Sequence, residues 1–417
     1  MIRNFLLSIA LLFSAGIIAQ TGTPSPYSFY GVGDVTFKGA LENRLMGGVS
    51  VFPDSIHLNF QNPASVAGLK YTTFTLGMSY KSTTFKTNTA SSDATRAPLE
   101  YVAVGFPMGK FGASFGLMPY SSVGYKLQKL APETDLEGTD NRYLGSGGLN
   151  RAFLALGYRI SSKLDIGADF SYNFGQITTK SIAFIPQAQY GTRELNESDL
   201  SGVAVNLGLM FHTKMNKKLD VFGSLVVTPE STIKSSNARQ IATISYIDET
   251  ELIVDTLTVD VANTKLKLPA KISIGAGIGQ ARKWMVGTEL TFRESGTMGS
   301  RFNDISNVSY ENSQKYSVGG YYIPNYNSFS SYLSKVTYRG GLSYETTGLV
   351  VAGKSIEDKS ITFGFGLPMR GTFSNINIGM EIGTRGTKAA GLVQENYKNV
   401  SISLSLNDQW FVKRKYN

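Results

Sequence analysis

The stretch Thr72–Lys81, "TTFTLGMSYK", sets Phe74, Leu76, Met78 and Tyr80 at every second position, with Thr73, Thr75, Gly77, Ser79 and Lys81 between them. In an extended chain, successive side chains point to opposite faces, so this run reads as a strand with one apolar and one polar side. The same split returns in "KISIGAGIG" (271–279), "SITFGFGL" (360–367), "NINIGMEIG" (375–383) and "VSISLSLN" (400–407). A soluble sandwich also alternates, but its polar face meets water and its turns recur at short intervals. Here an aliphatic face opposes one made of Ser, Thr, Gly and Asn with an occasional charge. That pairing suits lipid outside and a polar, small-residue interior. A bilayer has no water to satisfy open backbone edges, so such a sheet must close, and closure also removes aggregating edges. No run of about eighteen apolar residues follows the N-terminus, which excludes a helical membrane bundle. The expected fold class is therefore all-β: a transmembrane antiparallel β-barrel of about 14 strands between Lys70 and Lys413.

Connection lengths alternate as well. Short links stand at "PMGKFG" (107–112), "ISSKLD" (160–165), "TKMNKKLD" (213–220), "QARKW" (280–284) and "PMRGTFSN" (368–375), and long polar stretches at Gln128–Asn150, Ile185–Ser201 and Ser295–Ser331. Membrane barrels carry short turns on the periplasmic side and long loops outside. Tyr80, Tyr101, Tyr120, Tyr158, Trp284, Trp410 and Phe411 lie near strand ends, where aromatic belts are expected.

Outward from the first strand, "LNFQNPASVAGLKY" (Leu58–Tyr71) places a Gln-Asn-Pro-Ala turn directly ahead of it. Asn-Pro starts turns, and the proline holds the residue before it extended, so the chain changes direction here. Further upstream, Met1–Ala19 has a basic start at Arg3, the apolar core "FLLSIALLFSAGIIA" and a small residue before Gln20. It reads as a cleaved signal peptide, being shorter than the ~20 residues of a spanning helix and followed at once by polar sequence. Residues 20–69 are rich in Gly, Pro and polar groups, too apolar in patches for a free linker and too irregular for several lipid-facing strands. Placed within the barrel they form a plug, giving three units: signal peptide 1–19, plug or hatch 20–69, barrel 70–417.

Asn62, Pro63 and Ala64, placed between a plug-like segment and a long barrel, resemble the FadL/TodX family of outer-membrane transport proteins, whose N-terminal hatch ends in Asn-Pro-Ala before fourteen strands. "LPAKISIGAGI" (268–278) is similar to the element in which Leu-Pro opens a mid-barrel strand. "YRGGLSYETTG" and "ITFGFGLPM" resemble the C-terminal strands, and "SPYSFYGVGD" (25–34) together with the chain's end looks like a FadL-like branch whose members often lack an assigned substrate. The resemblance implies a location in the Gram-negative outer membrane, with the bilayer and lipopolysaccharide as surroundings. It also implies uptake of small hydrophobic compounds, fatty-acid-like or aromatic, from an apolar pocket by hatch movement and lateral release. The gate and plug positions it suggests are Asn62, Pro63 and Ala64, with Gly31, Gly33 and Asp34; a plain turn ahead of a strand also accounts for Asn62.

Other chemistry finds little support. The chain has 40 Lys and Arg against 31 Asp and Glu, but the basic residues are dispersed, without the clustered face of a nucleic-acid site. With no cysteine and only His57 and His212, neither a lipid-anchored cysteine, a disulfide nor a zinc site is expected. His57 could sense pH, or serve as a polar spacer. "GAGIG" (275–279) sits in a period-two strand with no helix after it, which is not a nucleotide loop. "PETDLEGTDN" (Glu133, Asp135, Glu137, Asp140) and "DETELIVD" (248–255) miss the calcium-loop spacing. No Ser-His pair can be nominated, so no enzyme, cofactor or metal is expected. The rival reading is a non-transporting interaction subunit of outer-membrane secretion or assembly machinery, with protein partners. An apolar cavity reaching the wall would favour passage; a filled interior with exposed apolar loops would favour the partner role.

Overall fold

The structure, a computed structural model, describes residues 22–132, 138–185, 188–247, 250–295 and 308–410. The expected signal peptide, Gln20, the carboxylates Glu133, Asp135, Glu137 and Asp248, and Phe411 lie outside these residues.

A two-residue strand of the leading segment, β1 (Asp34–Val35), precedes the wall. The wall opens with β2 (Thr72–Lys86), β3 (Ser91–Arg96) continued by β4 (Leu99–Met108), β5 (Phe111–Val123) extended by β6 (Lys126–Lys129), β7 (Asp140–Arg159), β8 (Leu164–Phe184) and β9 (Gly191–Lys214). It goes on through β10 (Asp220–Thr228) with β11 (Ser231–Ile247), then β12 (Thr250–Val259) and β13 (Thr264–Leu268) leading into β14 (Lys271–Gln280), and β15 (Trp284–Arg293). The last part is β16 (Val308–Tyr310) ahead of β17 (Ser313–Tyr322), then β18 (Thr337–Val351), β19 (Lys354–Pro368), β20 (Asn375–Arg385) and β21 (Gln394–Asp408). Taken with their continuations these make 14 antiparallel wall strands, and β21 pairs with β2 from Asp408↔Thr72 to Gln394↔Lys86, closing the ring.

The alternation sorts as the period-two pattern requires. On β2, Met78 is 44% exposed and Tyr80 53%, while Thr73 and Thr75 between the apolar positions are 0% and 2%. On β19, Ile361, Phe363 and Phe365 face out and Ser360 and Thr362 face in. The aliphatic stripes form one continuous outer surface of a closed ring, which only hydrocarbon can cover. Pro269 and Ala270 interrupt β13 and β14, so Leu-Pro does open a mid-barrel strand.

Three expectations need correction. The stretches 128–150 and 185–201 are in good part strand, because β7 begins at Asp140 and β9 at Gly191, and their polar residues prolong the wall past the apolar band. The stretch 295–331 is not one loop: β17 runs through it, so residues 323–336 lie at the short-turn end, where Ile323 N–H donates to Lys283 O at 2.7 Å. Tyr101 and Tyr120 do not join an outer belt. Tyr101 is buried and its hydroxyl accepts from Leu41 N–H at 3.0 Å, while Tyr120 lies under the Arg151 guanidinium at 4.5 Å.

The leading segment occupies the lumen. It has a 3-10 turn at Pro26–Phe29, β1, a helical turn at Leu41–Arg44, and a second 3-10 turn at Pro63–Gly68 with Asn62 as its N-cap. The wall's inward glycines explain how a peptide fits so close. A Cβ at Gly167 would lie 2.5 Å from Pro63 C, one at Gly208 2.2 Å from Asn62 Oδ1, one at Gly319 2.1 Å from Met46 O, and one at Gly341 2.2 Å from Gly47 N. The polar face is therefore glycine-rich where the plug presses against the wall, by backbone at Gly167, Gly319 and Gly341 and by the Asn62 and Pro63 side chains at Gly208. Gly208→Val is expected to expel the Asn-Pro-Ala turn while leaving the wall closed. Limited proteolysis should then cut within residues 40–69 several times faster than in the parent, with heat-modifiable migration on a gel retained.

Candidate functional site

Above the middle of the plug lies a cavity of about 980 Å³. Its floor is plug (Asp34, Phe37, Lys38, Arg44, Gly47, Gln61), and its sides are inward residues of nearly every wall strand. The lining is mixed rather than the purely apolar pocket that the family resemblance implies. Apolar side chains share it with charged ones: Lys81, Glu100, Arg151, Lys271, Glu289, Arg293, Lys315, Glu345, Asp358, Glu381 and Arg385 all border it. Isolated charges in a polar-face register, such as Asp169 in "ADFSYNF" or Glu289 in "GTELTF", are the sequence signal that foretells this lumen.

Several of these charges hold the plug. Lys38 Nζ meets Asp169 at 2.7 Å, Arg44 meets Glu100 at 2.9 Å, and Asp34 Oδ1 accepts from Arg385 at 2.6 Å. Glu289 accepts from Ser50 N–H at 2.8 Å and from its hydroxyl at 2.7 Å, and Asn377 donates to Glu42 at 2.6 Å. A buried pair adds little net stability but fixes position, because removing one member strands a charge at a cost of about 3–5 kcal/mol. These contacts pin the plug to strands on opposite sides of the ring.

The expected gate residues fall into two groups. Asn62 is fully buried; its Oδ1 accepts from Ala64 N–H at 3.0 Å and its Nδ2 donates to Leu209 O at 3.0 Å, tying the turn to β9. Pro63 takes the first position of the 3-10 turn, where its fixed φ fits and no N–H is missed, and Ala64 has no exposed surface. Gly31 and Gly33, at φ 58° and 94°, turn the chain so that Asp34 and Val35 reach β5 as partners of Ser122 and Ser121. A Cβ at Gly33 would stand 2.7 Å from Ser122 O. The two groups serve opposite halves of the lumen.

The β5 contact marks a gap in the wall. β4 pairs with β5 only from Val102↔Leu117 to Met108↔Phe111, and the ladder from β5 to β7 slips between Pro119 and Ser121. Over residues 118–123 β5 leaves β4, and β1 of the plug takes the vacant edge. Pro119 has no N–H to give that edge, which is where a strand tolerates proline. The cavity reaches this gap, lined there by Tyr30, Val35, Leu99, Met118 and Tyr120. At the gap its lining thus sets apolar side chains beside Asp34 and Glu100, and elsewhere it mixes charged groups with residues such as Leu149 and Leu268.

His57 is better partnered than a lone histidine suggests. Its Nδ1 lies 2.8 Å from Asp54 and its Nε2 3.7 Å from Glu42. Burial pulls its pKa down, but the Asp54 and Glu42 carboxylates outweigh that and raise it above the ordinary value; Arg339 opposes them. Burial acts to raise Asp54, yet the His57 charge and hydrogen bonds bring it down to about 2. Among the described residues no set of His, Asp and Glu gathers as metal ligands. Because the folded pKa of His57 is raised, its contribution is complete below about pH 6.5 and is lost as pH rises through the folded value. Thermal unfolding followed from pH 6 to pH 9 should show a falling midpoint that His57→Gln flattens over the same range.

At the short-turn end, residues 323–336 form a connection far longer than 281–283 or 160–163. Tyr326, Phe329, Tyr332 and Leu333 stand exposed on it, Phe329 completely. The Arg282 guanidinium lies 4.9 Å over the Tyr326 ring, and Tyr332 Oη donates to Pro368 O at 3.2 Å.

A family model described as BamG matches residues 1–417. No curated protein matches the chain. Among solved structures, the Ralstonia pickettii toluene transporter TbuX superposes with a TM-score of 0.60 at 14% identity, covering 89% of this chain and 99% of its own. The Pseudomonas putida toluene transporter TodX gives 0.59 at 15% identity, with 90% and 98% covered. A Pseudomonas aeruginosa FadL homologue gives 0.56 at 12%, with 90% and 98% covered. At such identities the likeness is one of fold, and at that level the FadL/TodX resemblance read from Asn62, Pro63 and Ala64 holds.

Proposed function

We propose, from the premise that this chain belongs to the BamG family and folds as a plugged barrel of FadL type, that it passes small hydrophobic or amphipathic molecules through the outer membrane. The observation that carries this reading is the continuity between the 980 Å³ cavity and the gap between β4 and β5. A solute with an apolar body gains nothing from an aqueous pore and is better handed to lipid through the side. At the gap it meets Val35, Leu99 and Met118. Withdrawal of β1 from β5 opens the path, with Gly31 and Gly33 as the flexible points and the Asn62–Ala64 turn as the fixed base. The protein acts as a channel and not as an enzyme. TbuX and TodX, which share the fold, are toluene transporters, and the bound species on this reading is fatty-acid-like or aromatic.

One feature favours the rival reading, a contact role in outer-membrane machinery. The long aromatic connection 323–336 projects at the end that faces the periplasm, where the other turns are short, and among the described residues no element covers its exposed apolar surface.

The chain contains no cysteine, which makes a clean test available. Val35→Cys with Ser121→Cys joins two register partners whose spacing suits a disulfide. Oxidised double mutant in vesicles should lose uptake of a fluorescent fatty acid or of toluene at least tenfold and regain it on reduction. Equal uptake in both redox states would rule out release past β1. Absence of uptake in the parent protein, combined with stoichiometric protein partners lost when Tyr326, Phe329, Tyr332 and Leu333 are changed to Ser, would favour the contact role.

A further inference from the structure

The charges around the cavity are not evenly matched. Lys271 and Arg293 stand directly opposite each other on β14 and β15, both facing the lumen. Like charges in direct register repel, and a sheet normally places an opposite charge or a neutral residue there. Here the neighbours add to the strain. Lys38 and Arg151 also lie within electrostatic range of the Lys271 ammonium, and Glu289 is the carboxylate that faces it.

The carboxylates at hand already hold plug or wall groups. Asp169 accepts through Oδ2 from Lys38 at 2.7 Å and from Asn206 at 3.1 Å, its Oδ1 having no hydrogen-bond partner among the described residues, and Glu289 holds Ser50 through both its N–H and its hydroxyl. Glu345 is shared at arm's length by Arg293, 3.9 Å away, and Lys315, 3.7 Å away. Arg151 hydrogen-bonds a neutral group, its Nε donating to Asn173 at 2.9 Å with its guanidinium over the Tyr120 ring, and Asp169 is the carboxylate within electrostatic range of it. Among the described residues the Lys271 side chain has no hydrogen bond and no ion pair. Five cations, from the plug, β7, β14, β15 and β17, thus face three carboxylates. With all of them charged the excess is two positive charges, in a lumen where Arg293, Lys315 and Glu345 keep about a quarter of their side-chain surface exposed.

We propose that this half of the lumen is a binding site for a dianion of phosphate type, held between Lys271 and Arg293 with Lys38 and Arg151 completing the cage. Ammonium and guanidinium groups converging from separate strands suit an oxyanion with several acceptor oxygens, and the guanidinium of Arg293 can engage two of them. A monovalent carboxylate would leave half the excess charge uncompensated. The site does not depend on the apolar exit at the gap, and a free phosphate-bearing solute or the head of a phosphorylated amphiphile would bring the same chemistry.

The full-length protein in detergent, at constant ionic strength set by chloride, can be titrated with inorganic phosphate and separately with dihexanoyl phosphatidic acid. Calorimetry gives the affinity and thermal unfolding the stabilisation. Saturable binding of inorganic phosphate would identify a free-solute site, and binding of phosphatidic acid alone a headgroup site; either supports the proposal. Lys271→Gln and Arg293→Gln should each weaken binding at least tenfold, while Lys217→Gln, on an exposed short turn, should not change it. Lys271→Met should unfold at a higher temperature than the parent in phosphate-free buffer and gain nothing from phosphate. That result separates loss of a site from loss of the fold. No saturable binding by either probe, or binding of equal strength in Lys271→Gln and Arg293→Gln, would overturn the proposal.

Discussion

Backbone-to-backbone contact between the leading segment and the inner wall is the constraint on which the rest of this protein depends. Met46 and Gly47 lie against Gly319 and Gly341, and Asn62 and Pro63 against Gly167 and Gly208, at distances that leave no room for a Cβ. A lumen of ordinary side chains would have excluded the segment. A lumen of glycines with nothing inside would have been an open pore. The two halves of the chain are complementary, and the buried pairs at Asp34, Lys38 and Arg44 set the register in which they meet.

That packing leaves a cavity with two characters. Toward β4 and β5 apolar side chains join Asp34 and Glu100 in its lining and the wall is breached, so the plug's own β1 completes the sheet. Toward β7, β14, β15 and β17 it is ionic, and desolvated charges there act over longer distances than they would in water. A purely apolar solute finds favourable surface at the breach. An amphipathic one can use both sides. The gap and the charged half are built from different strands and can be altered independently.

Much of the architecture was legible from period-two alternation. The stripes through Met78, Ile274 and Phe363 marked the lipid face, and the polar face opposite marked the lumen, because a strand offers its side chains only two directions. The Asn-Pro-Ala turn located the junction of plug and wall. What the pattern did not reveal depends on long-range pairing. Tyr101 and Tyr120 sit near strand ends as belt residues do, but which face an aromatic takes is set by strand register and by partners such as Leu41 N–H and Arg151. The stretch 295–331 looked like one loop because β17, "SQKYSVGGYY", is polar and glycine-rich and shows weak alternation. The ionic lumen was visible only as scattered mid-strand charges, and their convergence needed the closed ring. His57 looked isolated in sequence although Asp54 is three residues away, because Glu42 reaches it only through the fold of the plug.

The central claim is that the leading segment lies inside the barrel and that its part beyond β1, residues 40–69, is held there. Hydrogen–deuterium exchange of the full chain in lipid nanodiscs addresses it most directly, read at the amides of Leu45, Gly47 and Ala64, which donate to Leu41 O, Thr362 Oγ1 and Asn62 Oδ1. The account predicts protection at these amides on the timescale of β8 and β9. Exchange within seconds at all three, with those strands still protected, would contradict it.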